Sequence, residues 1–290
     1  MSTIVVPSPV PSASDDAESL RKALQGNATR WRADKGALVR ILCRRTAAQR
    51  AAIRRAYAFL YREPLLNCFR YKLSRHCLLS LDFWKAMILW TMDPAERDAN
   101  LVHEALKKKR DESYNISVLI EMLVRLVSSY RYEGDCVDMD VVSLEASQLA
   151  EAIRKKKKPH GDDVVRIVTT RSKSQLRATF QRYREDHGAD IAEDIDSHCC
   201  GQFARMLKNT VWCLTSPEKH FAEVIRHSIL GLGTYEDMLT RVIVSRAEID
   251  MKHIREEYKV RYKTTVTRDV VGDTSFGYKG FLLALVGSED

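Results

Sequence analysis

Glycine and proline are scarce, 12 and 7 among 290 residues. That scarcity argues against a turn-rich β architecture and against a disordered chain. No apolar run is long enough to span a bilayer; "AMILWTM" and "GFLLALVG" have the length of core helices. The opening stretch lacks the basic-then-apolar order of a secretory signal, and its Pro/Ser content predicts a flexible arm over 1–14. Seven cysteines, an odd number at scattered positions, form no disulfide framework and read as reduced cytosolic thiols. No catalytic constellation is visible, so the expectation is a protein that is not an enzyme. What the chain does have is helix-forming sequence long enough for a large core, and a net charge of +8. That charge favours an anionic partner: lipid headgroups, nucleic acid or an acidic protein. No nucleic-acid recognition motif is present, which disfavours a specific nucleic-acid partner.

Three segments align without gaps: Arg40 to Tyr57, Arg166 to Tyr183 and Arg241 to Tyr258. With Arg45, Arg171 and Arg246 as anchors, an arginine stands five residues before each and a tyrosine twelve after. Leu38, Val164 and Leu239 stand seven before. Apolar periodicity predicts helix, tight junction, helix. Thr46 with Gln49, Ser172 with Gln175 and Ser245 with Glu248 are candidate capping boxes for the second helix. Each unit closes on an apolar helix: "DFWKAMILW", "GQFARMLKNTVW" and "GYKGFLLALVG". Arg171 to Arg246 is 75 residues, but Arg45 to Arg171 is only 126. A complete extra repeat between the first two anchors needs about twice the shorter spacing. One repeat is therefore present but short, with its join near Glu121 and Met122.

"SILGLGTYED" at Ser228 to Asp237 is the most informative loop. A phosphate loop needs a lysine after the glycines, and here Glu236 and Asp237 follow instead, in what is predicted to be a first helical turn. Glycines permit a turn that aims carbonyls at one point, as a Ca²⁺ ion requires, with a carboxylate added from another loop. Asp273, forty residues after Gly233, lies in the loop before the last helix. A plain glycine turn beside a solvated aspartate is the competing reading.

Gly231-Leu-Gly-Thr234, followed 39 residues later by Asp273, resembles the G-x-G-T…D/E calcium site of annexins. "SRAEIDM" and "DTSFGYKGFLLALVG" are similarly annexin-like, and "SYRYEGD" and "RYREDHG" resemble plant annexins. The resemblance covers nearly all of the chain after about residue 15. It implies an all-α, right-handed superhelix of roughly five-helix repeats with the second incomplete. The divisions are an arm at 1–14, repeat one at 15–92, a truncated repeat two at 93–134, repeat three at 135–215 and repeat four at 216–290. It implies Ca²⁺ held by the carbonyls of Ile229, Gly231 and Gly233 and the carboxylate of Asp273, with an accessory site at Thr234 and Glu236. The family usually places an acidic residue where Tyr235 stands. It also implies peripheral binding to acidic, phosphatidylserine-like membranes from the cytoplasm, with actin and self-association on the membrane as further partners.

The other repeats fail the same ruler. Lys72 and His198 stand where Asp273 does, and basic residues replace the glycines. Arg30, Trp31 and Arg32, and Lys155, Lys156, Lys157 and Lys158, fall on loops that face the membrane in an annexin. They are expected to attract acidic lipid without calcium, with Trp31 at headgroup level. A calcium-insensitive scaffold acting through these basic loops on lipid or a cytoskeletal filament is the alternative function. Arg44 occupies the place of a histidine linked to peroxidase activity in some plant annexins, so that activity is not expected. "DVVG" at Asp269 reads as a structural loop rather than a nucleotide motif, and Cys213 as a buried small side chain. Asp98 and Arg241 are expected to pair in the core.

Overall fold

The structure is a computed structural model that describes residues 1–25, 33–75, 81–109, 116–128, 131–230, 235–273 and 276–288, with the side chains at 75, 106–109, 116–121, 273 and 276 left aside. All regular structure among the described residues is helical. Five helices come first: α1 (Ala13–Gln25), α2 (Lys35–Leu42), α3 (Ala47–Tyr61), α4 (Leu65–Arg75) and α5 (Leu81–Thr91). Then follow α6 (Pro94–Lys109) and α7 (Ile116–Ser128). A second set of five comprises α8 (Met139–Ala150), α9 (Asp162–Thr170), α10 (Lys173–His187), α11 (Ile191–His198) and α12 (Gln202–Thr215). The last five are α13 (Pro217–Ile229), α14 (Glu236–Arg246), α15 (Met251–Tyr262), α16 (Val266–Asp273) and α17 (Phe276–Val286). The join expected near Met122 lies inside α7.

The chain forms two compact units. One joins Met1–Lys109 to Phe221–Asp290, and its core is built on Trp84, Trp90, Phe69, Tyr57, Tyr258 and Phe281. The other is Arg110–His220, with a core around Leu149, Ile153, Leu176, Tyr183 and Leu207.

The anchor arginines organise each set of five, each in its own way. Arg45 is buried and forks onto both oxygens of Asp16 in α1, at 2.7 and 2.8 Å. Arg171 reaches the buried Glu145 of α8 at 2.7 Å. Arg246 pairs with Asp250 and lies over the Phe221 ring at 4.5 Å. Seventeen residues past each anchor the helix ends on a left-handed residue: Arg62 (φ 54), Gly188 (φ 71) and Lys263 (φ 55). Glycine adopts this conformation freely; the Arg and the Lys hold it at a cost of roughly 1 kcal/mol each.

The recurring tyrosines have a shared task. Tyr183 donates to Asp194 at 2.7 Å, and Arg154 pairs with the same carboxylate at 2.9 Å. Tyr258 donates to Asp269 at 2.6 Å, and Arg226 pairs with it at 2.7 Å. The acid stands eleven residues after the tyrosine in both. In the first set that position is Cys68, whose sulfur sits 3.5 Å from the Tyr57 hydroxyl, while Arg21 turns to Tyr57 and Glu63. Asp269, the first residue of "DVVG", belongs to this half-buried polar knot and also accepts from Thr264 at 3.0 Å.

Of the local expectations, the first capping box holds and several others are corrected. Thr46 and Gln49 form a reciprocal capping box. Ser172 caps α10, but Gln175 instead grips both backbone groups of Asp138, the N-cap of α8. Ser245 lies inside α14 and donates to Val242; Glu248 is drawn away to the amide of Ala47 and to Arg50. Ile249 sits exposed in the turn before α15. Within the N-terminal arm Thr3 is buried, its amide donating to Ala247 O at 3.0 Å and its hydroxyl to Leu285 O, while most of its neighbours are exposed. Cys213 is exposed on α12 rather than buried. Asp98 is exposed and pairs with its neighbour Arg97 at 2.8 Å, not with Arg241, because α6 turns it outward.

Burial pushes the phenols of Tyr57, Tyr183, Tyr258 and Tyr278 well above the ordinary value of 10.0. A raised folded-state value means the fold prefers the neutral phenol. That contribution is fully present below the unfolded value and is lost as pH rises above it, because only the unfolded chain ionises. Stability is expected to hold up to about pH 10 and fall beyond it. Tyrosinate absorbance should show these phenols, and that of Tyr262, which burial also raises, ionising only with unfolding. Ionisation of all eleven tyrosines ahead of the loss of helix would contradict this.

Candidate metal centre

Two described ties join the helices that flank residues 231–234 to those that flank residues 274–275. The first joins helix ends: Arg226, in the last turn of α13, pairs with Asp269, one turn before the end of α16. The second joins helix starts: the buried Tyr278 of α17 donates to Glu236 O at 3.0 Å and shares a 2.6 Å hydrogen bond with Thr240, both in α14. The base of the loop is closed by the Tyr235 amide on Ser228 O at 2.8 Å.

Ile229 is the last residue of α13 and Asp273 the last of α16. The final carbonyls of a helix have no intrahelical donor, and they carry the negative end of its dipole. Such free carbonyls are the kind of oxygen a hard cation takes as a ligand. The starts of α14 and α17 bring positive ends, and Glu236 and Asp237 in the first turn of α14 offset one of them. Asp82, Glu236 and Asp237 all act to raise the Tyr278 phenol, after burial as the main cause. Lys85 counters part of this field from α5, at 3.4 Å from Asp237 and 3.9 Å from Asp82.

Of the predicted ligands, Ile229 is half-buried against the core, and Glu236 opens α14 with its carbonyl taken by Tyr278. Gly231, Gly233 and Thr234 lie outside the described residues, as does the side chain of Asp273. Arg30, Trp31 and Arg32 lie outside them too. Lys155, Lys156, Lys157 and Lys158 are all exposed, following a π-helical turn at Glu151–Lys155. Lys155 pairs with Glu151 at 2.8 Å and holds that carboxyl below its ordinary value; Lys157 takes a left-handed backbone (φ 51). His198 bonds the carbonyl of Asp194, and among the described residues no group of three His, Cys, Asp or Glu is placed to hold a metal.

The residue sequence reasoning missed is Tyr278. Its counterparts are Phe83 and Phe203, and each meets the start of its own loop-bearing helix pair: Lys35 Nζ lies 4.9 Å from the Phe83 ring, and His160 packs edge-on to Phe203. The available signal was an aromatic residue 32 positions past the anchor, at Phe203 and Tyr278, and 38 past it at Phe83.

The annexin family model matches residues 15–77, 145–209 and 220–285, more than half of the chain. The chain belongs to the annexin family. Annexin D3 of Arabidopsis thaliana is 38% identical over 332 residues, covering 100% of both chains. Annexin Gh1 of Gossypium hirsutum is 38% identical over 324 residues, covering 98% of both. Among solved structures, annexin III superposes with a TM-score of 0.83 at 27% identity, covering 100% of this chain and 98% of that one. Chicken annexin V gives 0.80 at 27%, covering 99% of each. The all-α annexin fold is therefore established, and annexins are a Ca²⁺-binding family. In general they bind acidic phospholipid membranes in a calcium-dependent way rather than acting as enzymes. The alignment to Annexin D3 is longer than this annexin by 42 positions (332 − 290). Residues 78–144, where the repeat spacing runs short, are left unmatched by the family model. No described helix is long and apolar enough to cross a membrane.

Proposed function

We propose that this annexin is a peripheral protein of acidic phospholipid membranes, working from the cytoplasm, with one calcium site in its fourth repeat. The carbonyls of Ile229, Gly231 and Gly233 and the carboxylate of Asp273 are its ligands, with Thr234 and Glu236 as a weaker accessory pair. The observation that carries this reading is the Tyr278 tie, which holds the start of α14 beside the start of α17. The Arg226–Asp269 pair supports it by levelling the ends of α13 and α16. When bound, Ca²⁺ supplies the positive charge that lipid phosphate needs; the chain supplies hard oxygens, two helix ends and a surrounding negative field. The repeat divisions at 15–92, 93–134, 135–215 and 216–290 belong to the same proposal, with the second repeat shortened.

A second contribution is favoured by the exposure of Lys155 to Lys158. Near an anionic surface each such charge gives about 1 kcal/mol. With Arg30, Trp31 and Arg32 these residues give binding that persists without calcium.

Sedimentation with phosphatidylserine liposomes, in calcium and in EGTA, tests both. Asp273→Asn is expected to abolish the calcium-dependent fraction and leave the EGTA fraction intact. Charge reversal at Lys155 to Lys158 is expected to remove the EGTA fraction. Binding indifferent to calcium and to Asp273→Asn would sink the calcium reading and leave the basic scaffold, with actin-like or self-association partners, in its place.

A further inference from the structure

The turn from α3 into α4 and the turn from α10 into α11 are matching elements 126 residues apart, the Arg45 to Arg171 spacing. In both, the first helix ends on a left-handed residue, Arg62 or Gly188. The charge does not repeat. Residues 56–70 hold one acid and two arginines, whereas residues 182–196 hold six acids and two arginines. Five matched positions are exposed in both corners. Phe59, Leu60, Arg62, Asn67 and Arg70 in the first answer to Glu185, Asp186, Gly188, Glu193 and Asp196 in the second. The same backbone accepts either character, so neither charge is a demand of the fold. An acidic corner is also out of keeping with a chain of net charge +8.

The cations of the first corner rest on neutral groups. Arg62 lies over the Phe59 ring at 5.6 Å, and Arg70 donates to Asn67 at 3.3 Å. The acid there, Glu63, pairs with Arg21. Phe59 itself is 71% exposed. In the second corner Asp186 pairs with Arg182 at 2.9 Å and Asp196 with Lys208 at 2.6 Å. Glu185 accepts from the Gln181 side chain at 3.0 Å and Glu193 from the Asp190 backbone amide at 3.4 Å, both neutral donors. A side chain grafted onto Gly188 would begin in open space, so bare backbone is available there to an aromatic ring.

We propose that copies of this chain associate head to tail, the α3–α4 corner of one seated on the α10–α11 corner of the next. Charge complementarity names the occupant. Arginines beside an exposed aromatic ring, residue types enriched at interfaces, meet a surplus of carboxylates that the same chain carries. The last set of helices is also basic at these positions, with Arg261, Lys263 and Arg268, but Val260 stands in place of Phe59 and Arg261 already pairs with Glu223 at 3.3 Å. The contact uses a different surface on each partner. Every added copy presents one corner of each kind, so assembly closes into a ring or continues.

Sedimentation equilibrium of the full chain, without lipid and in EGTA, tests this at about 0.01 M and about 1 M salt, where charges act over about 30 Å and about 3 Å. At low salt the mean mass is expected to climb with concentration above that of one copy, and at high salt to return to it. Glu185→Lys/Asp186→Lys places cations in the last turn of α10, where the helix dipole favours them, and should weaken association about tenfold or more. Arg62→Glu/Arg70→Glu should do the same. A chain with all four changes has matching charges again and is expected to recover wild-type association, which a misfolded variant cannot do. Lys263→Glu/Arg268→Glu, in the last set, is expected to leave association unchanged. A monomer at every concentration in low salt overturns the proposal. So does a quadruple variant no stronger than either double, or an equal loss in the last-set variant. Loss of EGTA-phase binding to phosphatidylserine vesicles in Arg62→Glu/Arg70→Glu, with association intact, would make lipid the occupant and overturns it too.

Discussion

Glu248→Ala is expected to lower stability by about 3–5 kcal/mol, because it strips the counter-charge from a buried arginine. Arg50 is 1% exposed. Its guanidinium lies over the Trp90 ring at 3.5 Å, donates to Arg45 O at 2.6 Å and to Glu248 at 2.8 Å. Burial pushes the Arg50 pKa down, opposed first by the Glu248 hydrogen bond. Without Glu248 the charge keeps its burial and loses its partner, and the Ala47 amide at the open start of α3 loses its acceptor. Urea unfolding should show a lower midpoint with an unchanged slope. A double change, Arg50→Met with Glu248→Leu, should recover much of the loss, since an apolar pair needs no desolvation of charge. A wild-type midpoint for Glu248→Ala would show that the pair contributes nothing.

The second large effect is in the other unit. Asp194→Ala is expected to cost about 3–5 kcal/mol, because it leaves the Tyr183 hydroxyl and Arg154 around a hole where their shared carboxylate stood. The Asp194 side chain is 5% exposed, whereas Asp269 in the matching knot is 16% exposed beside a half-open Arg226. Asp269→Ala should therefore cost less, about 1–3 kcal/mol. Cys68→Ala should cost least of the three, because a thiol at 3.5 Å from Tyr57 is a weak partner. Thermal or urea midpoints ordered in that way support the knots as the load shared by each set of helices. Equal losses for all three would mean that volume, not charge pairing, decides.

What could be read from sequence was whatever repeats or acts locally. The arginine and tyrosine anchors stood out by spacing, and the Thr46–Gln49 box is a four-residue event that local chemistry settles. Ser245 and Glu248 had the right letters, but Glu248 answers to an amide 201 residues away. Gln175 is similarly claimed by Asp138. Gly188 announces a left-handed helix end; Arg62 and Lys263 take the same conformation without a glycine to mark it. At the site, glycines and a distant aspartate gave the motif, and the last two complete repeats share an aromatic residue 32 positions past the anchor. That Tyr278 ties the two loop-bearing helix pairs through a carbonyl and a hydroxyl needed coordinates, because neither partner is marked by type.

The unit that holds the calcium motif is discontinuous: Met1–Lys109 is completed only by Phe221–Asp290. During synthesis its first half must wait for the intervening Arg110–His220 to be made before the Glu248 carboxylate exists to meet Arg50. Throughout that wait, Trp84 and Trp90 sit in an unfinished core. The nascent chain is thus most vulnerable to aggregation or to capture by chaperones in the middle of its own translation, and a slow codon before residue 221 would lengthen that exposure.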